Sequence, residues 1–168
     1  MPDHDSHRIH KVASVRVAIL TISDTRTVQN DESGATIRHL LTAAGHIVSD
    51  HSIVPDEPDQ VRNGVLDRCQ RGDVDAILLT GGTGLARRDT TIEALSPIFE
   101  KRIDGFGELF RGLSYAEIGA AAMLSRAVAG TRGRVGIFAL PGSTQAVRLA
   151  MEKLILPELP HLIALLHH

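Results

Sequence analysis

The stretch DAILLTGGTGLARRDTT, residues 75–91, decides the fold of this chain. Its first part, Asp75 to Thr80, is an apolar run of strand length, which is typical of a strand covered on both faces. Its second part opens with three glycines in four positions, so the strand ends in a loop with few side chains. A buried strand that leads into such a loop is typical of an open parallel sheet, where ligands bind beyond the carboxyl ends of the strands.

Upstream of this stretch, apolar strand patterns alternate with helical ones. Val15 to Ser23 and residues 46–54 read as strands, whereas Gly34 to Ala44 and Val61 to Gln70 place apolar residues at helical spacing. This alternation predicts right-handed crossovers and a Rossmann-like α/β fold, with a mostly parallel sheet between helices. A chain of 168 residues has room for one ordinary domain. We assign residues 15–168 to it and residues 1–14 to a flexible lead-in.

Downstream, the pattern is less regular. The predicted elements are, in order, a helix from Thr91 to Leu95, a short strand in IFEKRI, helices over Phe106 to Leu113 and Tyr115 to Leu124, a strand from Arg134 to Leu140, a helix from Gln145 to Leu154, and an apolar final helix bounded by Pro157 and Pro160. Cys69 lies on the apolar face of a predicted helix, so we interpret it as a core residue rather than a nucleophile.

The composition argues against two classes of partner. A formal net charge of -2 supplies no excess of positive charge for a nucleic-acid backbone, and zero Trp and one Tyr leave almost no surface for base stacking. No apolar run approaches the roughly 20 residues that span a bilayer, and the first residues lack the apolar core of a signal peptide. We therefore expect a cytoplasmic protein that binds neither nucleic acid nor membrane.

The glycine-rich loop is the strongest candidate for an anion site. Gly81, Gly82 and Gly84 expose backbone N–H groups that a phosphate can approach closely. Thr80 and Thr83 add hydroxyls, and Arg87 and Arg88 add guanidinium groups. The loop matches neither the Walker motif nor the full dinucleotide fingerprint. A tight connection with no ligand is the alternative interpretation.

Carboxylates follow three of the predicted strands. Asp24 follows the first, Asp56 and Glu57 follow the second, and Asp89 lies in the loop after the third. Parallel strands release their chains at one edge, so we expect these acids to converge there. Acids beside an anion loop favour bound Mg²⁺ that carries phosphates. Taken singly, Asp24 would be a turn cap and Asp56 part of a solvated turn.

Two further stretches fit a ligand site, each with a structural alternative. Glu108 and Arg111 stand three residues apart on one helix face, behind a glycine pair, and a surface ion pair explains them equally well. Pro141, Gly142 and Ser143 end a buried strand and open a helix, where unpaired N–H groups can hold an anion. Capping of that helix would alone account for Ser143.

Five motifs occur in the order TISDTRT, TGGTGLARRDTT, GFGELFR, LSRAVAG and FALPGST, and at these motifs the chain resembles the MoaB/MogA family of molybdenum cofactor biosynthesis proteins. The residues at the variable positions of these motifs are more similar to the MoaB branch than to the MogA branch. The resemblance runs from about Val15 to Leu166. It implies a three-layer α/β/α sandwich, assembled as a homotrimer or homohexamer. It also implies Mg²⁺- and ATP-dependent adenylylation of molybdopterin with release of pyrophosphate, and a product passed to the molybdate-inserting enzyme of the pathway.

The resemblance assigns catalytic and metal-binding roles to Asp56 and Asp89. The residues expected to contact substrate or phosphate are Ser23, Asp24, Thr80, Gly81, Gly82, Thr83, Gly84, Arg88, Glu108, Pro141, Gly142 and Ser143. Gln145 stands where the family commonly has Lys, which removes one possible cation, and Ile92 replaces a common Pro. Because some proteins of the MoaB branch lack the two acids and appear inactive, a non-catalytic molybdopterin-binding or scaffold protein is the alternative. An unrelated phosphometabolite-binding module is a third class.

Overall fold

The computed structural model describes residues 12–168 and contains one six-stranded mixed sheet. The strands are β1 (Arg16–Ile22), β2 (Ile47–Val54), β3 (Ala76–Thr80), β4 (Lys101–Arg102), β5 (Val128–Arg132) and β6 (Val135–Leu140). Their spatial order is β2-β1-β3-β6-β5-β4. The first four strands of this order pair in parallel, and β5 and β4 add antiparallel strands at one edge. The mostly parallel sheet is therefore confirmed.

Within residues 12–168, six α-helices cover the sheet. They are α1 (Glu32–Ala43), α2 (Pro58–Arg71), α3 (Thr91–Leu95), α4 (Asp104–Ile118), α5 (Thr144–Ala150) and α6 (Leu156–Leu166). Short 3-10 helices at Val28–Asn30, Ser96–Ile98 and Gly119–Leu124 and a π-helical turn at Met151–Ile155 complete the described elements. Among residues 12–168, no helix has the length and apolar character required to cross a membrane.

The core has two halves because side chains of a strand alternate between the faces of the sheet. Ile19 of β1 joins one half with residues of α1, α4, α5 and α6, whereas its neighbour Leu20 joins the other with residues of α2 and α3. The three-layer α/β/α arrangement is thus confirmed. Cys69 packs against the second half, and burial raises the pKa of its thiol, which favours a packing role.

The second half of the chain corrects several predicted elements. The helix predicted over Phe106 to Leu113 is confirmed as part of α4, and the helix predicted from Tyr115 is confirmed only as far as Ile118. The break expected between them is wrong, because α4 is continuous to Ile118. It ends where Gly119 adopts a φ of +68°, and GAAAML forms a 3-10 helix. The strand predicted in IFEKRI shrinks to Lys101–Arg102, since Ile98 belongs to a 3-10 turn.

Two further corrections concern β5 and the C-terminal helices. β5 was not predicted, because VAGTR has little apolar alternation. Gly130 is required there, since a Cβ at this position would lie 2.5 Å from the Phe99 ring. Pro160 lies inside α6 rather than at its boundary, and the packing of Leu159 and Ile163 into the core holds the helix through it. Residues 1–11 of the predicted lead-in lie outside the described residues.

Candidate active site

The glycine-rich loop leaves β3 at the carboxyl edge of the sheet and lines a cavity of about 400 Å³. Gly81 and Gly82 adopt φ values of +101° and +68°, which side chains strongly disfavour. The Gly81 N–H donates to the carbonyl of Leu140 at 3.0 Å, so the loop is fastened to the end of β6. The cavity is lined by Gly81, Gly82, Thr83, Gly84, Asp89, Leu124, Ser125, Arg126, Pro141 and Gly142. The structure therefore brings together the two predicted ligand-binding turns.

The glycines also let both predicted catalytic carboxylates approach the loop backbone. A Cβ at Gly82 would lie 2.6 Å from Oδ1 of Asp56, and a Cβ at Gly84 would lie 2.6 Å from Oδ2 of Asp89. Real Cβ atoms essentially never come this close to another heavy atom. Asp56 and Asp89 thus reach one short loop from the ends of different strands.

Asp56 is only partly satisfied. Its Oδ1 is buried and accepts no hydrogen bond from any residue in 12–168. Burial raises the pKa of Asp56, and the negative charges of Asp24 and Asp89 raise it further, although Arg88 acts in the opposite direction. A cation or a hydrogen-bond donor at this oxygen would relieve both the burial and the repulsion.

Asp24, also predicted in the site, lies beside Asp56. Its Oδ1 accepts the backbone N–H of Asp56 at 3.0 Å, and its Oδ2 accepts from Nη2 of Arg88 at 2.7 Å. The hydrogen bond from Arg88 is the main cause that lowers the pKa of Asp24. Arg88 also pairs with Glu57 at 3.0 Å. Arg88, which was predicted to contact phosphate, therefore forms ion pairs with two carboxylates of the same chain.

Hydroxyl and backbone bonds hold the loop in shape. Oγ1 of Thr91 donates to the Gly81 carbonyl and its N–H donates to the Gly82 carbonyl, both at 3.0 Å. Oδ2 of Asp89 accepts the N–H of Ala86 at 3.1 Å, which closes the turn after the glycines. Thr83 is buried. Oγ1 of Thr80 donates to the carbonyl of Pro141 at 3.0 Å, so this hydroxyl is used internally.

Two predicted serines have structural partners as well. Oγ of Ser143 accepts the Ala146 N–H at 3.2 Å, so Ser143 caps α5 as the structural alternative requires. Oγ of Ser23 accepts the N–H groups of Thr25 and Arg26 at 3.2 and 3.0 Å. Ser23 lines a smaller cleft of about 60 Å³ whose wall includes Thr80, Gly81 and Gly142.

Glu108, which was predicted to contact substrate, lies away from the glycine-rich loop. It lies exposed on α4 and does not line the cavity at the glycine loop. Within the described part of the chain it makes no ion pair with Arg111 either, so the surface ion pair given as the alternative does not form.

Sequence reasoning missed Arg126. Its Nε donates to the Thr83 carbonyl at 2.8 Å and its Nη2 donates to the Gly84 carbonyl at 2.7 Å, while Glu93 pairs with the same guanidinium group. Arg126 stands in the LSRAVAG motif, but nothing in that motif says which carbonyls its side chain reaches. Its contact with Glu93 spans 33 positions of the chain, which only the folded structure supplies.

The donor set is compatible with Mg²⁺ held jointly with a substrate. No group of three His, Cys, Asp or Glu side chains is arranged to hold a metal ion among residues 12–168, so an all-protein cage is absent from that part. Mg²⁺ commonly binds one or two carboxylates and completes its octahedron with phosphate oxygens and water. The unpaired Oδ1 of Asp56, together with Asp89, fits that mode.

Comparison with known proteins agrees with this architecture. Residues 18–161 match the model of a family described as a probable molybdopterin binding domain. The molybdenum cofactor biosynthesis protein B of Bacillus anthracis is 52% identical over 162 residues, which cover 96% of each chain. The protein of the same name from Staphylococcus aureus is 50% identical over 166 residues, 97% of each.

Solved structures extend the similarity to the fold. A crystal structure of a molybdenum cofactor biosynthesis protein B superposes with a TM-score of 0.90 at 54% identity, covering 92% of this chain and 96% of that one. The tungsten cofactor synthesizing protein MoaB from Pyrococcus furiosus gives 0.81 at 36% identity, with 92% and 98% covered. A MogA structure gives 0.82 at 27% identity, with 90% and 99% covered. The chain therefore belongs to the MoaB/MogA family of molybdenum cofactor biosynthesis proteins, nearer to MoaB than to MogA.

Proposed function

We propose that this chain acts in molybdenum cofactor biosynthesis by adenylylating molybdopterin with Mg-ATP. The phosphate oxygen of molybdopterin would form a bond to the α-phosphorus of ATP. The bond from that phosphorus to the bridging oxygen would break, and pyrophosphate would leave with the electron pair. Reactions of this kind depend mainly on positioning and on neutralisation of charge.

The observation that carries this proposal is the buried, partnerless Oδ1 of Asp56 beside a second carboxylate and a glycine loop. A purely structural carboxylate would be hydrogen-bonded, because an unpaired buried acceptor costs about 1 to 3 kcal/mol. Asp56 and Asp89 would hold Mg²⁺, which when bound neutralises phosphate charge and polarises the reacting phosphorus. The family match supports molybdopterin as the second substrate.

Other residues in and beside the cavity would position the two carboxylates and the substrates. Because Gly82 and Gly84 have no Cβ, the carboxylates of Asp56 and Asp89 lie against the loop backbone, where they would hold Mg²⁺ beside the bound phosphates. Arg126 holds the carbonyls of Thr83 and Gly84, which keeps the loop in one conformation before substrate arrives. Oδ1 of Asp24 accepts a hydrogen bond from the backbone N–H of Asp56 and so orients the turn that carries the Asp56 carboxylate.

A non-catalytic molybdopterin-binding protein is the second candidate, and one observation favours it. Arg88 is paired with Asp24 and Glu57, and Gln145 replaces a lysine, so the site offers fewer free cations for phosphate than the sequence suggests. This candidate binds molybdopterin and releases no pyrophosphate. An unrelated phosphometabolite-binding module would show no preference for the pterin.

The test is to incubate the purified chain with molybdopterin, Mg²⁺ and ATP and to measure pyrophosphate. We expect Asp56→Asn and Asp89→Asn to lower turnover by about 100-fold or more, since each removes a charge that acts on the reacting phosphates. Asp67→Asn is the matched control, because Asp67 is an exposed acid of α2 that pairs with Arg71. Wild-type turnover in both site variants would refute the assignment, and molybdopterin binding without pyrophosphate would establish the second candidate.

A further inference from the structure

A second cavity, of about 230 Å³, lies between the start of α4 and the segment that enters β5. Arg102, Arg111 and Arg126 line it together with a single carboxylate, that of Asp104. Arg126 also lines the candidate active site, so the two cavities share one side chain. Three guanidinium groups in so small a space are unusual for a chain whose net charge is -2.

The three arginines differ in their partners. Arg126 is held by Glu93 and two carbonyls, and Nε of Arg102 donates to Asp104 at 3.4 Å. Arg111 is partly buried, yet it makes no hydrogen bond or ion pair with any residue in 12–168. A guanidinium group that gives up part of its hydration without an acceptor is unfavourable, and a bound anion would restore the lost interactions.

The position of the Arg111 guanidinium group shows that it belongs to the cavity. Its two terminal nitrogens would lie 3.1 and 3.2 Å from a Cβ at Gly107, so the group packs onto the backbone of its own helix. The same Cβ would lie 2.7 Å from the carbonyl of Ala127, which brings α4 close to the segment that carries Arg126. Gly107 therefore forms a floor on which the guanidinium group of Arg111 lies.

We propose that this cavity binds a phosphate-type oxyanion, with Arg111 as its principal ligand and Arg102 and Arg126 beside it. The three arginines outnumber the two carboxylates that pair with them, those of Asp104 and Glu93, so the cavity carries a net positive charge. Guanidinium groups bind tetrahedral oxyanions through paired N–H donors, which a single carboxylate would use less fully. The anion is either free phosphate or the phosphate group of a larger ligand. This proposal does not depend on the proposed reaction.

The test is a titration of ¹⁵N-labelled protein with inorganic phosphate at constant ionic strength, without ATP or molybdopterin. We expect saturable shifts of the Gly107 and Ala129 amide signals, because both residues line the cavity. Arg111→Gln should weaken phosphate binding about tenfold or more, since one charged hydrogen bond is worth about that factor, and Arg111→Lys should retain part of it. Arg134→Gln, at an exposed position in the turn before β6, is the matched control and should bind as the wild type does.

Three outcomes would overturn the proposal: no saturable binding of phosphate, unchanged affinity in Arg111→Gln, or shifts confined to the 81–84 loop. If Arg111→Gln does not fold, Arg102→Gln replaces it, with a weaker loss of affinity expected. Parallel titrations with AMP and pyrophosphate identify the source of the anion. Equal affinity for phosphate and AMP supports free phosphate, and tighter binding of AMP or pyrophosphate supports the phosphate group of a larger ligand.

Discussion

Each end of the sheet contains an aspartate that is withdrawn from solvent, Asp75 fully and Asp56 partly, and the two differ in whether their carboxylates have partners. At the amino end, Asp75 precedes β3 and accepts from the backbone N–H, Nε and Nη2 of Arg16 at 2.8, 3.1 and 2.9 Å. Burial acts to raise the pKa of Asp75, but the hydrogen bonds and the charge of Arg16 outweigh burial and lower it.

At the carboxyl end, burial and like charges raise the pKa of Asp56, and one of its oxygens has no partner among the described residues. The charge of Asp75 is thus compensated by Arg16, whereas Oδ1 of Asp56 is buried and has no hydrogen-bond partner among the described residues. A carboxylate that is left buried without a partner, at a cost to stability, marks a candidate functional position.

The largest effect on stability is expected from Asp75→Ala. The substitution leaves the backbone N–H and the guanidinium group of Arg16 without their acceptor, so the free energy of unfolding should fall by about 2 kcal/mol. Because the folded pKa of Asp75 is lowered, its contribution is present above the ordinary value of 3.8 and is lost as the pH falls through the folded pKa. Urea unfolding at pH 7 and below pH 4 checks both statements. A variant as stable as the wild type at pH 7 would contradict them.

A smaller effect of opposite sign is expected from Asp56→Asn. Because the folded pKa of Asp56 is raised above 3.8, ionised Asp56 destabilises the folded state once the pH exceeds that folded pKa. The Asn variant should therefore be at least as stable as the wild type at pH 7, and its advantage should shrink as the pH falls toward 4. Urea unfolding across this range measures the difference. If the variant is less stable at pH 7, Asp56 is a structural residue like Asp75.

The smallest effect on stability is expected from Arg88→Gln. Both of its ion pairs are exposed, so the Tm should stay close to that of the wild type. The substitution should nevertheless raise the pKa of Asp56, since the positive charge of Arg88 lowers it. A ¹³C NMR titration of the Asp56 carboxyl group measures this shift. An unchanged or lower pKa would show that Arg88 does not act on Asp56.

The prediction from sequence was most accurate where signals are local. β1, β2 and β3 and the helices between them were predicted because continuous apolar runs and helical spacing are properties of short segments. The second half was predicted less well. β5 is stabilised as an added antiparallel strand beside β6, and its own residues carry little strand pattern. α4 continues through the break expected after Leu113, and Ser114 is buried within it.

The candidate site divides in the same way. Residue types and the rule that parallel strands end at one edge were enough to predict that Asp24 and Asp56 converge, and the hydrogen bond between them confirms it. The pairing of Arg88 with Asp24 and Glu57 could not be predicted from the sequence, because a guanidinium group binds phosphate and carboxylate equally well and its neighbours in the fold decide between them. The displacement of Glu108 from the cavity likewise depends on how α4 packs.

By itself, the sequence determined the α/β fold of this protein, its glycine loop and the acids at the ends of its strands. These follow from periodicity and from the backbone freedom of glycine, which act within a few residues. Only the tertiary structure decided which polar groups have hydrogen-bond partners. Arg16 binds Asp75, Arg88 binds Asp24, and Arg126 binds the loop carbonyls. Oδ1 of Asp56 and the guanidinium group of Arg111 have no partner among the described residues. The physical reason is that hydrogen bonding and desolvation depend on distances between segments far apart in the chain.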